Sequence, residues 1–423
     1  MRVSQAPEGI HQGEVTEWMV AQLPEVTRPL TFTLIAGGRS NLTYRVEDAE
    51  GRAWALRRPP LHHVLPTAHD MSREYRLMHA LGPAGIPVPQ TIGLCTDEAI
   101  NERPFYVMEF VEGHILRSAP EAEAAFDEAT RRGVGGHMAD TLAALHDVDP
   151  DAVGLGDLGR HEGYIERQLK RWRGQYDQMQ VEGVDHGGLV ERVSDELATR
   201  IPKQQRASVV HGDYRMDNVV LADDGTVRAI LDWEICTLGD PLADLGLLMD
   251  YWADPGDSMA VLGLSPTTAP GFSTKAEILE RYDAVSDLDV SGIGYYQAFG
   301  YWKLACILQG VYARYVAGAG AGDQGSVDGF PVQIGRLFEM AAAALEATPC
   351  APKAGPAAAS RRSSRSTRSP SCTSRSWWWR SRAGSTPASA PRRPSRRCSG
   401  RVTASPSSRS TASTSWTSGP GAR

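Results

Sequence analysis

The stretch that decides how this chain folds and reacts is residues 210–220, VHGDYRMDNVV, followed at short range by residues 230–234, ILDWE. In each stretch an apolar, β-prone run leads into a polar loop that carries carboxylates. The tight-turn sequence DDG at 223–225 lies between them, so the apolar runs on either side are predicted to form a hairpin. Residues at the open end of a hairpin become neighbours, and we therefore expect Asn218 and Asp232 to lie close together.

The residue types in these loops suit phosphoryl transfer. That reaction needs a group that orients or deprotonates the attacking hydroxyl, magnesium across the phosphates, and cations or amides on the developing charge. Magnesium prefers oxygen ligands and takes few of them from the protein. We predict that Asp213 accepts a proton from a substrate hydroxyl, and that Asn218 and Asp232 hold magnesium against a nucleotide triphosphate.

The N-terminal third of the chain has the pattern of a small β-rich lobe. Strands are predicted over residues 30–35, 42–46, 53–58 and 104–111. The first two are joined by the turn AGGRSN, and the third ends in Arg57 and Arg58. A glycine-closed hairpin followed by a strand with a basic end could cover and clamp phosphates. Helical spacing over residues 71–81 adds one helix to this lobe, which is predicted to end near residue 111.

From residue 114 onward the apolar spacing is mainly helical, and 423 residues are enough for two lobes. Helices are predicted there over residues 121–147, broken or kinked near Gly133 to Gly136, and over 161–178, 188–200, 241–253, 274–286, 292–317 and 331–348, with a further helix in the N-terminal lead-in over 14–23. The predicted organisation is a lead-in over residues 1–27, a nucleotide-clamping N-lobe over 28–111, and a catalytic and acceptor-binding C-lobe over 112–350.

Residues 351–423 have a different composition from the rest. They contain 15 Lys and Arg and no Asp or Glu, so the preceding residues carry a net charge of −22 against −7 for the whole chain. The segment is rich in Ser, Arg and Pro and has no periodicity, which predicts a disordered tail. The missing acids and the run Trp377-Trp378-Trp379 favour a frameshift product, and a basic nucleic-acid arm is the functional alternative. We assign this tail no function and expect no nucleic-acid partner for the acidic part.

The sequence also predicts a compartment. Residues 295–316 form the longest apolar run and are interrupted by Lys303 and Arg314, so no membrane span or membrane partner is expected. The first eight residues lack the apolar core of a secretory signal. Six scattered cysteines show no metal-ligand spacing. Free thiols are typical of a reducing compartment, and we expect a cytoplasmic protein.

The pattern HGDxxxxN at 211–218, followed by LDWE at 231–234, resembles the aminoglycoside phosphotransferase family, relatives of the protein kinases. With GDPLADLG at 239–246, it looks most like the branch fused to or associated with acyl-CoA dehydrogenases. The resemblance extends over about residues 28–345. It implies an α+β, bilobal, protein-kinase-like fold with a small β-rich N-lobe and a larger, mainly helical C-lobe. It also implies an ATP- and magnesium-dependent phosphotransferase.

In the C-lobe, the resemblance implies that Asp213 is the catalytic base or orienting carboxylate, with Asn218 and Asp232 as the metal ligands. His211 would brace the catalytic loop without taking part in the chemistry. Asp244 would anchor the same loop through backbone N–H groups.

In the N-lobe, the resemblance implies a set of nucleotide-binding residues. These are Gly37, Gly38 and Ser40 over the phosphates, Arg57 in place of the ATP-phosphate lysine, Glu74 as its helical partner, and Glu109 to Val111 as the hinge whose backbone meets adenine. Two features depart from the family pattern. Arg57 replaces a lysine, which is not a conservative exchange. The hairpin lacks a full GxGxxG, so we expect a looser cover on the phosphates.

Three functional hypotheses follow. The resembled branch implies a hydroxyacyl-CoA or hydroxy acid as acceptor, and a functional association with an acyl-CoA dehydrogenase. An aminoglycoside or amino-alcohol is the second candidate acceptor, which the acidic net charge would suit, although net charge does not describe a local pocket. The third hypothesis belongs to another class: a pseudokinase module that binds nucleotide without transferring phosphate.

Overall fold

The computed structural model describes residues 7–36, 41–61, 70–254, 257, 265–318 and 329–348. The predicted phosphate-covering residues Gly37, Gly38 and Ser40 lie outside this described part, as does the tail from residue 351.

An antiparallel sheet forms the small lobe. Its strands are β1 (Thr31–Ala36), β2 (Leu42–Glu47), β3 (Ala53–Arg58), β4 (Thr91–Cys95) and β5 (Phe105–Glu109), in the order β1-β2-β3-β5-β4. One face packs against α1 (Gln12–Gln22), where the rings of Trp18 and Phe105 meet edge to face with centroids 5.0 Å apart. The other face packs against α2 (Met71–Leu81) and the rest of the protein.

The two-residue period of β3 decides which of its terminal arginines enters the site. Leu56 points to the α1 side of the sheet and Ala55 to the α2 side, so Arg57 also faces α2. Arg58 points the other way, is buried, and donates to the carbonyl of Gly9. A shift of one residue would exchange these roles.

The sequence-based prediction missed β4 and the short helix α3 (Glu98–Asn101), because it treated this region as a Pro/Gly-rich connection. Gly93 in the middle of β4 weakens the strand signal. The packing explains this glycine: a Cβ at residue 93 would lie 2.9 Å from the ring of Trp18. The glycine therefore lets α1 approach the sheet closely.

The larger lobe is mainly helical, as predicted. Its helices are α4 (Ala119–Ala125), α5 (Glu128–Asp147), α6 (Tyr164–Gln178), α7 (Leu189–Thr199), α8 (Leu242–Tyr251), α9 (Lys275–Val285), α10 (Ile293–Val316) and α11 (Phe330–Ala347). In its core α10 packs against α6, α8 and α11. Among the residues described, we find no helix with the length and apolarity needed to cross a membrane.

The sequence predicts a break or a kink near Gly133 to Gly136; the break is wrong, because α5 continues through these glycines. The chain breaks earlier, between α4 and α5, where the Asp127 side chain accepts a hydrogen bond from Thr130 N and caps α5. Gly135 allows close packing instead: a Cβ there would lie 2.9 Å from Ser273 Oγ.

Four short strands carry the functional loops: β6 (Ser208–Val210), β7 (Val219–Leu221), β8 (Val227–Ile230) and β9 (Thr237–Gly239). The β7–β8 hairpin confirms the prediction. The partner of β6 is β9, which the prediction missed, because three residues of sequence TLG are indistinguishable from a loop. The two pairs fix both ends of the polar loops at residues 211–218 and 231–236.

Asp240, just before α8, makes stability depend on pH. Its side chain is buried and accepts hydrogen bonds from Tyr296 Oη at 2.7 Å and from Leu242 N at 3.2 Å. Burial raises the pKa of this carboxyl to about 6, although both hydrogen bonds oppose the change. Between about pH 4 and about pH 6 the folded protein therefore keeps a proton that the unfolded chain releases. The contribution of Asp240 to the free energy of unfolding is complete below about pH 4. It falls by about 2–3 kcal/mol as the pH rises from about 4 to about 6.

We expect Asp240→Asn to remove this contribution, because an amide does not titrate. The difference in Tm between wild type and variant should change across about pH 4 to about pH 6 and be constant above it. Thermal unfolding at a series of pH values measures this. A constant difference over the whole range would show that Asp240 titrates normally.

Candidate active site

The loop between β6 and β7 begins with a sharp turn that presents Asp213. Gly212 has φ of +86°, a left-handed conformation that glycine adopts without strain. A Cβ at this position would also lie 3.2 Å from the side chain of Ile235. Both constraints require glycine here, and Asp213 follows with its carboxylate partly exposed.

Asp244, in the first turn of α8, holds the start of this loop. Its carboxylate is buried and accepts hydrogen bonds from His211 N at 2.5 Å and Gly212 N at 2.8 Å. Burial alone would raise the pKa of Asp244, but the hydrogen bonds from His146 and the backbone lower it below its usual value. The group therefore stays ionised and fixes two consecutive N–H groups before Asp213.

His211 connects the two functional loops. Its ring is fully buried and packs edge-on against Trp233, with centroids 4.8 Å apart. Nδ1 accepts a hydrogen bond from Asp213 N at 3.2 Å, and Nε2 lies 2.8 Å from the carbonyl oxygen of Leu231. These partners assign the proton to Nε2. A single imidazole thus couples the position of Asp213 to the residue before Asp232.

Asp213 is oriented by two side chains of its own loop. Asn218 Nδ2 donates to both the carbonyl oxygen and Oδ2 of Asp213 at 2.9 Å, and Arg215 Nε donates to Oδ2 at 3.2 Å. Within the described part of the chain Oδ1 of Asp213 accepts no hydrogen bond. That oxygen therefore has room for a further hydrogen bond, and the amide oxygen of Asn218 takes no part in the contacts with Asp213.

Asp232 follows Leu231, whose N–H donates to Asn218 O at 2.8 Å across the β7–β8 ladder. Its backbone has φ of 64° and ψ of 61°, a left-handed conformation that is uncommon outside glycine. Such backbone strain is concentrated at functional sites. The strained turn places the carboxylate within 2.5 Å of Arg57 Nη2.

Arg57 joins the small lobe to the large one. Its Nε lies 2.9 Å from Glu74 Oε2, and its Nη2 lies 2.5 Å from Asp232 Oδ1 and 3.9 Å from Glu234 Oε2. The side chain is 12% exposed. The planar guanidinium can span a carboxylate on each side, where an ammonium would act as one point charge.

Glu74 is held by partners that the sequence analysis did not identify. Asn41 Nδ2 donates to its Oε1 at 2.6 Å, and Tyr106 Oη donates to its Oε2 at 2.9 Å. Burial raises the pKa of Glu74 to about 7, against the opposing charge of Arg57. Asn41 directly follows the glycine turn, where asparagine is ordinary, so no sequence signal marked it.

A second contact from α2 was also missed. The guanidinium of Arg73 donates to the carbonyl oxygen of Cys236 and, at 3.5 Å, to that of Glu234. It therefore ties α2 to the turn after Asp232. Arginine on an exposed helix face is usually solvated, and only the tertiary structure shows this role.

We expect Arg57→Ala to destabilise the protein by about 3 kcal/mol, because it leaves the buried Glu74 without its cation. Glu74→Gln in the same background should recover part of this loss, giving a coupling energy of about 1–2 kcal/mol. Urea unfolding of the two single variants and the double variant measures it. Additive effects would mean that the two side chains do not interact energetically.

The predicted hinge follows β5. Glu109 ends this strand, and its N–H donates to the carbonyl oxygen of Gln90 at 2.8 Å. Its side chain is exposed, and Val111 follows two residues later. The segment thus follows the strand that pairs with β3, the strand that carries Arg57, and it leads from the small lobe into the large one.

A cleft of about 370 Å³ opens beside Asp213, and the sequence analysis did not predict its walls. One wall is a stripe of α6, and the opposite wall comes from α8 and α10. The residues lining it are Tyr164, Gln168, Arg171, Trp172, Gln175, Gly212, Asp213, Arg215, Ile235, Leu247, Tyr251, Lys303, Leu304, Ile307 and Arg314. Among these, four side chains are cationic and Asp213 is the one carboxylate.

Two oxygen donors at the junction between the lobes suit a hard cation such as magnesium. The amide oxygen of Asn218 and the partly exposed carboxylate of Asp232 are both oxygen ligands. Among the described residues, no group of three or more His, Cys, Asp and Glu side chains is placed to hold a metal ion. Magnesium at nucleotide sites takes one or two protein carboxylates and completes its shell with phosphate oxygens and water. The residues present fit that arrangement.

The site combines three features: a cation on a strand paired to a glutamate on a helix, an anchored HGD loop, and an acidic residue after the next hairpin. Together they define a small-molecule phosphotransferase of the protein-kinase-like fold. Such an enzyme acts on hydroxyl groups. The chain belongs to the phosphotransferase enzyme family (APH), whose model matches residues 31–270.

A solved structure of a putative aminoglycoside phosphotransferase from Ralstonia eutropha is 30% identical, with a TM-score of 0.66 over 79% of this chain and 98% of that one. Acyl-CoA dehydrogenase family member 10 of Mus musculus is 35% identical over 298 residues, which are 69% of this chain and 27% of that protein. Family member 11 of Gallus gallus is 33% identical over 324 residues, 73% of this chain and 40% of that protein. This chain thus spans well under half the length of these two curated relatives.

Proposed function

We propose that this protein transfers the γ-phosphate of ATP, with magnesium, to the hydroxyl of a small anionic acceptor, a hydroxyacyl-CoA or hydroxy acid. The observation that supports this choice is the charge of the cleft beside Asp213. Arg171, Arg215, Lys303 and Arg314 line it, with no carboxylate other than Asp213 among its described residues.

The local charge of the cleft argues against a cationic acceptor. An aminoglycoside or amino-alcohol would meet Arg171 and Lys303, neither of which is ion-paired to a carboxylate of the described residues, and like charges brought together in a partly desolvated site repel. Arg215 adds little to this field, because it is paired with Asp213 and Asp217. The acidic net charge of the globular part had suggested the opposite preference, but the field within a cleft is set by its lining. The volume of about 370 Å³ lies within the range of small-ligand sites.

The acceptor hydroxyl would be oriented by Asp213. Its oxygen attacks the γ-phosphorus, the bond from that phosphorus to the ADP oxygen breaks, and the hydroxyl proton passes to Asp213. Asn218 and Arg215 keep the carboxylate in place, while His211 and Asp244 fix the backbone that carries it.

The nucleotide would lie between the lobes. Arg57, held by Glu74, would contact the phosphates, Gly37, Gly38 and Ser40 would cover them, and the backbone from Glu109 to Val111 would bind adenine. Asn218 and Asp232 would hold magnesium, which neutralises charge on the phosphates. We propose the corresponding division into an N-lobe over 28–111 and a C-lobe over 112–350.

The curated relatives support an acyl-CoA context. Two of them are acyl-CoA dehydrogenase family members, and this chain matches a part of each. We therefore propose that this protein works with an acyl-CoA dehydrogenase. Cys95, Cys236 and Cys306 are buried free thiols, which suits the cytoplasmic location that we propose.

The test is ADP release with a panel of acceptors. Hydroxyhexanoate isomers and their CoA thioesters are compared with an aminoglycoside and with choline, each with ATP and magnesium. We expect turnover with an anionic acceptor and none above background with the cationic ones. Preferential turnover of a cationic acceptor would overturn the assignment, and ATP binding without any turnover would favour a nucleotide-binding module.

A further inference from the structure

Lys303, on the wall of the acceptor cleft, is a buried cation without a carboxylate partner. It is 6% exposed, and its ammonium makes one hydrogen bond to described residues, to the carbonyl oxygen of Gly212 at 3.0 Å. No carboxylate of the described residues lies within ion-pairing distance of it. An ammonium has three donors, and an unpaired buried charge is costly, so such a group is retained where something outside the fold completes it.

The nearby acids are committed to other groups. Asp213 accepts from Asn218 and Arg215, and Asp244 accepts from the backbone before Asp213. Arg171, on the opposite wall of the cleft, adds a second positive charge. Burial lowers the pKa of Lys303, the charges of Asp213 and Asp244 oppose that change, and Arg171 adds to it.

Lys303 lies close to the proposed site of phosphate transfer. Its partner Gly212 O belongs to the peptide unit that leads directly into Asp213. A group bound by the ammonium therefore lies next to the carboxylate that orients the hydroxyl. Charge-assisted hydrogen bonds of this kind are among the strongest available for recognising a carboxylate or a polarised carbonyl.

We propose that Lys303 binds the carboxylate or acyl carbonyl of the acceptor, and so selects molecules whose hydroxyl and acyl groups are both within reach of the Asp213–Lys303 pair. This inference rests on the proposed function, because it assigns the acceptor's acyl end to a residue of the same cleft. Arg171, which is exposed, would meet the outer part of the acceptor.

Two variants separate this role from support of the loop. Lys303→Met removes the charge and the donor, whereas Lys303→Gln removes the charge and keeps a donor for Gly212 O. Lys170→Gln is the matched control, because Lys170 is an exposed lysine of α6 that does not line the cleft. Replacing an unpaired buried charge by methionine is expected to leave Tm unchanged or raised, which checks folding.

Calorimetry measures the binding of hydroxyhexanoate isomers and of the hexanediols with the same carbon skeleton. Steady-state kinetics gives kcat and KM for each of these compounds that is a substrate. We expect both Lys303 variants to weaken hydroxyhexanoate binding by about 10- to 100-fold, through KM, with diol binding and ATP binding within about threefold of wild type. Two results would overturn the proposal and leave Lys303 as a support for Gly212. One is weaker binding of the acid and the diol alike in both variants, and the other is full activity in Lys303→Gln with a loss of activity only in Lys303→Met.

The two proposals fail differently. If the wild type turns over no acceptor, the proposed phosphotransfer to acyl compounds fails. The calorimetric comparison still tests Lys303, because binding of the acid over the diol needs no turnover. If the wild type turns over hydroxyhexanoates and the Lys303 variants keep wild-type binding, only the assignment of Lys303 fails.

Discussion

Asp213→Ala is expected to lower kcat by about 10³-fold, the middle of the range for losing a general base. The affinity for ATP should stay within about threefold, because Asp213 contacts the loop and the acceptor cleft and does not contact Arg57 or Glu74. Steady-state ADP release gives kcat, and nucleotide binding measured by calorimetry gives the affinity.

A second substitution removes an ambiguity in this experiment. Asn218 Nδ2 donates to Asp213 Oδ2, so alanine also frees a residue that we assign to magnesium. Asp213→Asn keeps an acceptor oxygen and loses the base. If catalysis depends on the negative charge of Asp213, both variants should be equally slow. A much faster Asp213→Asn would instead show that Asp213 acts mainly by orienting Asn218. Asp223→Ala is the control, because that side chain is fully exposed and, among the described residues, forms an ion pair with His114 alone.

Asp232→Asn is expected to abolish turnover and to remove the gain in ATP affinity that magnesium gives. A carboxylate ligand is lost, and an amide oxygen binds a hard cation more weakly. The measurement is ATP binding with and without magnesium. The wild type should bind ATP at least about 10-fold more tightly with magnesium, and the variant should bind equally under both conditions.

Asparagine is the better replacement at this position than alanine. Asp232 has φ of 64°, which asparagine tolerates and alanine adopts at a cost of about 1–2 kcal/mol. Asp232→Ala therefore combines loss of the ligand with backbone strain, and a comparison of the two Tm values separates these effects. Magnesium-dependent ATP binding that persists in Asp232→Asn would remove this residue from the metal site.

The site is divided between residues that the sequence could show and residues that it could not. Asp213, Asn218 and Asp232 belong to one short segment, and the predicted hairpin was the reason to expect Asn218 and Asp232 close together. Their supports were partly visible too, since Asp244 follows the same segment. Asn41 and Arg73 were invisible, because each is an ordinary residue for its own turn or helix and acquires a role only through contacts with residues more than 30 positions away.

The secondary structure shows the same division. The helix over Met71–Leu81 was predicted to the residue, because its apolar stripe is long and its cap is local. The strand at Thr91–Cys95 was missed, because its glycine serves contact with Trp18 of α1. The glycines of α5 were misread as a break for a similar reason, since they allow packing against the segment around Ser273.

The sequence by itself determined the order of the functional loops and, through local spacing, the hairpin that joins them. The kinase-like class and the residues expected at the phosphates followed from the resemblance of these motifs to a known family. The resemblance already assigned Arg57 to the site, and only the tertiary structure showed why Arg58 is excluded, because the sheet's two-residue period and the packing of α2 select one face. Only the tertiary structure brought Lys303 and Arg171, 132 residues apart in the chain, into one cleft with Asp213. The positive charge on which we base the proposed anionic acceptor comes largely from α6 and α10, and no local pattern records that these helices pack together.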